Sequence, residues 1–523
     1  MNRSQQTAFP IRGLMLDAAR LPEPLAFYKK FIDFCADWDV NTIIFRLTDD
    51  QGCAIRFTGC PKLLTHKNAL TPDDIRSLVS HAQNRNIVLI PEIESFGHCR
   101  YITGTETFAH LSDKAPGDPD WREGLIPTHP EVMDIFVNLY AEIADLFPGP
   151  YLHGGCDEVT WGASDFSKDL LAKAGRADIC AAHLNGLNRI ARDNHKEFIV
   201  WADMVCRNMP ECMDRLDKNI ILHDWIYKEQ EPEHLKKTAL EILSRGFRLL
   251  GGPALIWARW GPRAGQSQLR NIDAFCSAYR GLDNKNILGI ITTHWVPTRF
   301  LPGADLDSLA YAAVAMAQKV QRARTSAFAD FVTRHFEATW DSIWADIFRT
   351  LYDTAPFRLS NAPPWSEPVI PDLWTDEPGL RSALKENEIF PLPFDRLIRQ
   401  MTEKAETVTR NQSDFQAMRV SVEYLDHLQQ RRNITSSLCR KTPDQAARDI
   451  ASIADSDQAM LKKVLKMWDT QRFPWTAGQT PETGHDDLAG TLCKAAAFSK
   501  ELADNPDMFW ALFKTIRREN RNE

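Results

Sequence analysis

The chain has 523 residues, of which 44% are hydrophobic and 25% are charged, and its formal net charge at pH 7 is −8. This length accommodates a barrel of about 250 to 320 residues and a further module. The acidic balance, without basic clusters at groove-like spacing, argues against nucleic acid as a partner.

The N-terminus and the cysteines bear on the cellular compartment. Residues 1–10 lack the apolar core of a signal peptide, and no run approaches the roughly 18 apolar residues that span a bilayer. The eleven cysteines are odd in number and contain no CxxC pair, which favours reduced thiols over a disulfide framework or a zinc site. We therefore predict a cytoplasmic protein without a membrane segment.

In chain order, apolar strand-like runs alternate with segments of helical periodicity. Pro72 fits the first position of one helix, and Thr128 and Glu131 are spaced as a capping box before another. Eight alternating units predict an α/β protein with a (β/α)8 TIM barrel over residues 1–325. The runs lie at residues 12–17, 41–47, 87–92, 151–155, 198–201, 220–225, 247–257 and 287–295.

After about residue 325 the strand–helix alternation stops. Residues 326–523 are predicted to form a mainly α-helical module, with helical segments at 327–350, 394–470 and 488–518. A proline-rich irregular stretch lies near residues 355–393. The module could support a homodimer, shape the cleft or add stability alone, and these alternatives stay open.

Two adjacent carboxylates end the fourth strand, in the motif His153-Gly-Gly-Cys-Asp-Glu158. A solvated loop that happens to contain Asp-Glu is the alternative interpretation. In a barrel, however, the active site lies at the C-terminal ends of the strands. We therefore predict Asp157 and Glu158 as the reacting acids.

Polar and aromatic residues also lie on or after the other strands. Aromatic rings with polar groups at their rim suit the C–H faces of a sugar, although any one of these tryptophans alone is more often a core residue. The candidates are Arg12 in strand 1, Asp49 and Asp50 after strand 2, His98 after strand 3, and Trp201, Trp225, Tyr227, Trp257 and Trp295 around strands 5 to 8.

Taken in order, these motifs resemble those of the glycoside hydrolase family 20 β-N-acetylhexosaminidases, especially the hexosaminidase D-like branch. The resemblance covers about residues 10–325. The matching segments are Arg12-Gly-Leu-Met-Leu-Asp17, Leu47-Thr-Asp-Asp-Gln51, Ile90-Pro-Glu-Ile-Glu94 with Gly97-His98, His153-Gly-Gly-Cys-Asp-Glu158, and Trp201-Ala-Asp-Met204 with Trp295.

The resemblance implies an exo-acting retaining hydrolase that removes terminal β-linked N-acetylglucosamine or N-acetylgalactosamine from a glycan or glycoconjugate. The 2-acetamido oxygen of the substrate would act as nucleophile and form an oxazoline intermediate. Glu158 would be the general acid and the partner held protonated, and Asp157 would orient the acetamido group. Two adjacent acids fit this chemistry because they cannot easily straddle a glycosidic bond.

By the same resemblance, Arg12 would bind hydroxyls of the terminal sugar. His98, with Asp49 or Asp50, would form a polar network that supports the acid pair. The resemblance implies neither a cofactor nor a metal ion.

Two departures from the family pattern keep alternatives open. Residues 251–260 lack the tyrosine that the family places near the end of strand 7, so Tyr227 or Trp257 replaces it, or the acetamido pocket is altered. The segment after Trp295 lacks the family's acid, which leaves the gluco or galacto preference open. A non-catalytic carbohydrate-binding or scaffold protein is the second hypothesis. A metal-dependent hydrolase with His153 and the two acids as ligands is a weaker third.

Overall fold

The computed structural model describes residues 9–115, 117, 123–228, 231–256, 263–282, 284–320, 322–352, 373–385, 393–476 and 487–522. Trp257 and most of the proline-rich stretch at 355–393 lie outside the described residues. Within the described ranges, no helix combines the length and apolar character needed to cross a membrane. The eleven cysteines are free thiols.

Eight parallel strands close into a barrel and confirm the predicted fold class. Neighbouring strands pair in chain order, and the last strand pairs with the first from Gly289 beside Ile11 to Thr292 beside Leu14. A short strand, Ala254–Ile256, adds to the last one. The barrel strands are β1 Ile11–Asp17, β2 Thr42–Arg46, β3 Val88–Glu92, β4 Tyr151–His153, β5 Glu197–Trp201, β6 Ile221–Trp225, β7 Arg248–Gly252 and β8 Ile287–His294.

Helices surround the barrel and alternate with the strands at every connection except one. Between β5 and β6 the chain forms a π-helical turn, Met204–Asn208, and a 3-10 turn, Pro210–Asp214, in place of an α-helix. The outer helices are α1 Leu25–Asp37, α2 Pro72–Asn84, α3 Pro130–Leu146, α4 Asp165–Leu171, α5 Arg176–Asp193, α6 Pro232–Ser244, α7 Gln266–Arg280 and α8 Leu306–Ala317.

Short elements extend the loops at the C-terminal ends of the strands. A small sheet follows β2, and single helical turns follow β3 and β8. These pieces lengthen the loops that carry the predicted site residues. Their bounds are Thr48–Asp49, Gly52–Ile55 and Thr65–Leu70 for the sheet, and Arg100–Thr103, Ala109–Leu111 and Pro297–Arg299 for the turns.

The helix starts show one correct and one wrong prediction. Pro72 begins α2, behind a capping box formed by Thr71 and Asp74. The capping box predicted from Thr128 is wrong, because Pro130 occupies the first turn of α3 and His129 becomes its N-cap. Thr128 instead adopts a left-handed φ of 59°.

The C-terminal helices pack against the barrel. Met460, Val464 and Trp468 on the longest of them belong to the same apolar core as the barrel strands and α1. The helical segment predicted at 327–350 consists of two helices, and the segment predicted at 394–470 to hold long helices contains three. A domain division near residue 325 stays a prediction. The helices are α9 Arg324–His335, α10 Ser342–Tyr352, α11 Glu377–Lys385, α12 Phe394–Ala405, α13 Gln412–Ser437, α14 Pro443–Gln471, α15 Leu488–Asp504 and α16 Pro506–Asn522.

Candidate active site

The acid pair follows β4 through a segment of unusual backbone. Gly155, Cys156 and Glu158 have φ values of 63°, 74° and 49°, in the left-handed region. A Cβ atom on Gly155 would lie 2.0 Å from Oε2 of Glu94, so this position requires glycine. The Cys156 N–H donates to the same carboxylate oxygen at 3.0 Å. Strained backbone of this kind clusters at functional sites.

Asp157 and Glu158 lie in different surroundings. The Glu158 side chain is 34% exposed, whereas that of Asp157 is 10% exposed. Oδ1 of Asp157 is buried and has no hydrogen-bond partner among the described residues. The more open Glu158 can reach a leaving group, and Asp157 offers a buried acceptor for a ligand N–H.

His98 joins the acid pair to the segment after β2. Its Nδ1 lies 3.1 Å from Oδ2 of Asp50, and its Nε2 lies 3.6 Å from Oε2 of Glu158 and 3.9 Å from Oδ2 of Asp157. Burial lowers the pKa of His98, but Asp157, Asp49, the hydrogen bond to Asp50 and the nearby Glu158 raise it well above its ordinary value. His98 is therefore a buried cation among carboxylates.

Asp49 and Asp50 have separate roles. Asp50 is the hydrogen-bond partner of Nδ1 of His98, and Oδ1 of Asp49 lies 3.6 Å from the same nitrogen. Asp49 also accepts from Nη2 of Arg46 at 2.6 Å and lies 3.0 Å from Nη2 of Arg20. Burial by itself raises the pKa of Asp49, but Arg20 and Arg46 lower it below its usual range. The sequence left open which aspartate faces the histidine; both lie beside it, and Asp50 is the one at hydrogen-bond distance.

The two arginines were missed at the sequence level. Arg46, fully buried at the end of β2, also donates to Oε1 of Glu92 at 2.7 Å. Arg20, in the loop after β1, donates to Oδ2 of Asp17 at 3.0 Å. A charged residue inside the apolar run 41–47 was the available signal for Arg46, whereas the position of Arg20 depends on the loop.

Four predicted aromatic residues meet at this end of the barrel. Trp201 is buried, stacks on His223 at 4.2 Å, and lies 5.8 Å from the ring of Trp295. Nε1 of Trp295 donates to the hydroxyl of Tyr227 at 2.8 Å, and the ring of Tyr227 lies 4.8 Å from that of the half-buried Trp225. These rings form a continuous aromatic wall, with Trp201 as its buried base.

Asp203 connects this wall to the acids. Its Oδ2 accepts from the backbone N–H of Glu158 at 3.0 Å, and its Oδ1 accepts from Nε1 of Trp225 at 3.3 Å. Burial and the nearby Asp157 raise the pKa of Asp203 to about 7. Asp203 thereby fixes the backbone of Glu158.

Arg12 lies at the other end of β1. Its Nε donates to the carbonyl of Asp39 at 2.9 Å, and its Nη1 donates to that of Phe9 at 2.9 Å. Five residues of strand, or about 16 Å, separate Arg12 from Asp17 at the active end. The prediction that Arg12 lies with the acids is wrong, because it is at the N-terminal end of the strand.

A metal ion could be held at His98 on geometric grounds. One atom each of Asp49, Asp50 and His98 lie within 4.8 Å of one another, and so do atoms of His98, Asp157 and Glu158. A ligand histidine must be neutral, however, and these carboxylates raise the pKa of His98. A metal ion at this position would therefore have to displace the proton of His98.

His153 belongs to neither of these two groups of possible metal ligands around His98. It is buried, its Nδ1 accepts from the Gly155 N–H at 3.0 Å, and its Nε2 faces Nδ1 of His223 at 3.3 Å. Burial and the neighbouring His223 lower its pKa well below the ordinary value. His153 is a packing residue inside the barrel, away from the role of metal ligand considered from the sequence.

Known proteins are similar to this chain over the barrel segment. Residues 9–295 match the family model described as glycosyl hydrolase family 20, catalytic domain. A beta-hexosaminidase of Akkermansia muciniphila is 29% identical over 196 residues, which cover 32% of this chain and 39% of that protein. Hexosaminidase D of Bos taurus is 24% identical over 207 residues, which cover 38% of this chain and 57% of that protein. The chain thus covers less than two thirds of the length of either relative.

The fold has a counterpart among solved structures. The X-ray structure of Flavobacterium johnsoniae chitobiase aligns with a TM-score of 0.53 over 97% of this chain and 73% of that chain. Its sequence identity is 17%, so this likeness concerns the fold alone. The matched family segment, residues 9–295, spans more than half of the 523 residues and contains the acid pair. The chain belongs to glycosyl hydrolase family 20.

Proposed function

We propose that this protein is an exo-acting retaining hydrolase that removes terminal β-linked N-acetylglucosamine or N-acetylgalactosamine by substrate-assisted catalysis. The supporting observation is the unequal exposure of two adjacent acids, with a buried, unpaired Oδ1 on Asp157 and an open side chain on Glu158. Retaining enzymes with a protein nucleophile hold their two carboxyl groups on opposite sides of the bond, at about 5 to 5.5 Å. Adjacent residues suit a substrate that supplies its own nucleophile.

In this mechanism Asp157 accepts a hydrogen bond from the acetamido N–H. The acetamido oxygen then faces the anomeric carbon, and a C–O bond forms as the glycosidic C–O bond breaks. Glu158 gives its proton to the leaving oxygen and later takes one from the water that opens the oxazoline. Asp157 stabilises the positive charge that develops on the acetamido nitrogen, an interaction that is strongest in the transition state.

His98 is proposed to stabilise Glu158 after the first proton transfer. When Glu158 has given up its proton, the cationic ring 3.6 Å from its Oε2 stabilises the new carboxylate. Asp50 fixes the orientation of that ring through Nδ1 at 3.1 Å. In this proposal Asp50 orients the His98 ring, and the His98 charge balances that of the Glu158 carboxylate.

The aromatic wall and Arg20 are proposed to bind the terminal sugar. Trp225, Tyr227 and Trp295 offer ring faces and polar edges at the ends of β6 and β8. We propose Tyr227 as the donor to the acetamido oxygen in place of the missing strand-7 tyrosine. The other candidate, Trp257, lies outside the described residues.

The test is release of an aryl group from paired β-N-acetylglucosaminide and β-N-acetylgalactosaminide substrates. Turnover that both Glu158→Gln and a thiazoline mimic of the oxazoline suppress would establish the activity, and the ratio of rates would give the sugar preference. Sugar binding without turnover would instead favour the non-catalytic carbohydrate-binding hypothesis. Loss of turnover on chelation, with recovery on adding back a divalent metal, would favour the metal-dependent one.

Three finer assignments remain predictions. The similarity to Hexosaminidase D of Bos taurus supports placement in the hexosaminidase D-like branch. A cytoplasmic location is predicted from the amino-acid sequence alone. Support of a homodimer is one of the roles that stay open for the helical module. Cell fractionation and light scattering on the full chain would test these two points.

A further inference from the structure

Arg472 reaches from the C-terminal helices into the barrel loops. It directly follows α14 and is buried. Its Nε donates to Oε1 of Glu23 at 2.8 Å, and its Nη1 donates to the Phe300 carbonyl at 2.8 Å. Glu23 lies in the loop after β1, and Phe300 lies in the loop after β8. One guanidinium therefore joins two loops of the barrel.

These two loops carry parts of the candidate site. Glu23 is three residues beyond Arg20, and Phe300 is five residues beyond Trp295. At the site itself the loops meet again, because the guanidinium carbon of Arg20 lies 5.2 Å from the ring centroid of Trp295. The two loops are therefore in contact at two places, through Arg472 and through the Arg20–Trp295 pair.

Asp17 completes the contact between the loops. Its Oδ2 accepts from Nη1 of Arg20 at 3.0 Å and from the backbone N–H of Val296 at 3.0 Å. Val296 has a left-handed φ of 57°, which a β-branched residue adopts only when its surroundings impose it. The path of the chain at Trp295 therefore depends on contacts from neighbouring loops.

The chemistry of Arg472 suits this role. Its side chain and that of Glu23 are almost fully buried, so each charge depends on the other for compensation. The planar guanidinium donates in two directions at once, which a lysine ammonium on a flexible chain does less well. Trp468 fixes the guanidinium plane, with its ring centroid 4.3 Å from the guanidinium carbon.

We propose that Arg472 is a positioning residue of the active site. It holds the β1 and β8 loops together so that Arg20 and Trp295 face the terminal sugar. The effect on sugar binding rests on the proposed function, whereas the effect on the loops does not. The C-terminal helices thereby contribute to the site without contacting substrate.

A matched ion pair provides the control. Lys30 on α1 and Asp414 on α13 also join the barrel to the C-terminal helices, with Nζ and Oδ1 2.6 Å apart. Lys30 lies on the outer helix rather than in a loop of the site. Its Nζ also donates to Oε1 of Gln471, the residue before Arg472, at 3.1 Å. Lys30→Met therefore removes polar contacts between the same two parts of the chain, next to Arg472, but leaves the bonds of Arg472 to Glu23 and Phe300 in place.

The first measurement is hydrogen exchange by mass spectrometry on the full chain without sugar. Arg472→Met is expected to speed amide exchange in peptides covering residues 16–24 and 293–301 by about tenfold. Arg472→Lys, which keeps the charge and is the variant to use if Arg472→Met does not fold, should give a smaller increase in both peptides. Lys30→Met should leave both unchanged. Unchanged exchange in both peptides of the folded Arg472 variants would overturn the proposal.

The second measurement separates positioning from general stability. Arg472→Met should raise the Michaelis constant and the dissociation constant of the thiazoline mimic by about tenfold, with a smaller fall in kcat. Lys30→Met should leave both constants unaltered. Faster loop exchange with unaltered sugar affinity would overturn the link to the site. If the wild type neither binds nor cleaves the sugars, the proposed function fails, and the exchange data alone decide whether Arg472 holds the loops.

Discussion

Asp157 and Glu158 are neighbours in sequence but differ in surroundings because the backbone at Glu158 has a left-handed φ of 49° and is bound to Asp203. This conformation leaves the Glu158 side chain more open than that of Asp157. Two chemically similar carboxylates are therefore proposed to have different tasks, Glu158 as the acid and Asp157 as the group that orients the acetamido group.

Replacing each acid by its amide should separate the two tasks. Glu158→Gln removes the proton donor, so we expect a loss of about 10³-fold for alkyl glycosides and a much smaller loss for activated aryl ones. Asp157→Asn should slow both substrate types alike, because orientation and charge stabilisation do not depend on the leaving group. Steady-state kinetics on both classes would check this, and an equal loss for both classes in Glu158→Gln would contradict the acid assignment.

The two arginines near strand 1 give a second contrast. Arg12 lies at the N-terminal end of β1, whereas Arg20 lies over Trp295 at the active end. We expect Arg12→Ala to leave kcat/KM unchanged and Arg20→Met to lower it by about tenfold or more. A reduced kcat/KM in folded Arg12→Ala, with Arg20→Met unaffected, would reverse this assignment.

Asp203 should make stability depend on pH. Its unfolded pKa is near 3.8 and burial raises the folded pKa to about 7, so the folded state binds more protons between these values. The contribution of Asp203 to the free energy of unfolding is fully present below pH 3.8 and is lost as pH rises through 7. Asn cannot titrate, so the free energy of unfolding of Asp203→Asn should rise relative to wild type by roughly 4 kcal/mol between pH 4 and 8. Urea unfolding at several pH values would measure this, and a constant difference would contradict it.

At the scale of elements, the site depends on close approach between the loops after β3 and β4. A Cβ atom on Gly97 would lie 2.2 Å from the carbonyl oxygen of Asp157, and one on Gly155 would meet Glu94. The Leu125 N–H also donates to the Phe96 carbonyl beside this contact, at 3.0 Å. The two loops therefore fit only with glycine at both positions.

Gly97→Ala should displace the loop that carries the acids. The added methyl group meets backbone, which cannot move aside as a flexible side chain can, so we expect kcat to fall by about 10²-fold. Gly281→Ala is the matched control, because its Cβ would meet only carbonyl oxygens at 3.5 Å. Activity measurements on both variants would check the prediction, and wild-type kcat in Gly97→Ala would show that the loops can separate without consequence.

At the scale of the whole molecule, one apolar core includes residues of both the barrel and the C-terminal helices. Trp468 on α14 is fully buried in that core, and Arg472 binds Glu23 one turn further on. The barrel and the helices that pack on it through this core are expected to unfold together.

Trp468→Ala should destabilise the molecule as a whole. Loss of a fully buried tryptophan leaves a cavity, so we expect the free energy of unfolding to fall by about 3 to 5 kcal/mol. Leu240→Ala, at a residue 49% exposed on α6, should cost less than about 0.5 kcal/mol. Denaturant unfolding followed by tryptophan fluorescence and by circular dichroism would test both, and two separate transitions would contradict a shared core.

The sequence predicted more of the barrel than of its connections. Strand positions follow from apolar runs, and all eight runs correspond to barrel strands. The link between β5 and β6 lacks the α-helix implied by the alternation, and His129 rather than Thr128 occupies the N-cap position of α3. Local patterns specify where buried strands lie, but caps and connections depend on the neighbours that they meet.

The sequence by itself determined the (β/α)8 class, the membership of the family and the position of Asp157 and Glu158 at a strand end. These follow from periodicity and from short ordered motifs, which are local properties of the chain. Only the tertiary structure decided that Asp50 rather than Asp49 lies at hydrogen-bond distance from His98, and that Arg12 lies at the opposite end of β1 from the acids. It alone also shows that Arg20 and Arg46 pair with Asp49 and that Arg472 pairs with Glu23. The physical reason is that these assignments depend on which charges meet after the loops pack, and residues as distant in sequence as Glu23 and Arg472 meet only in the folded chain.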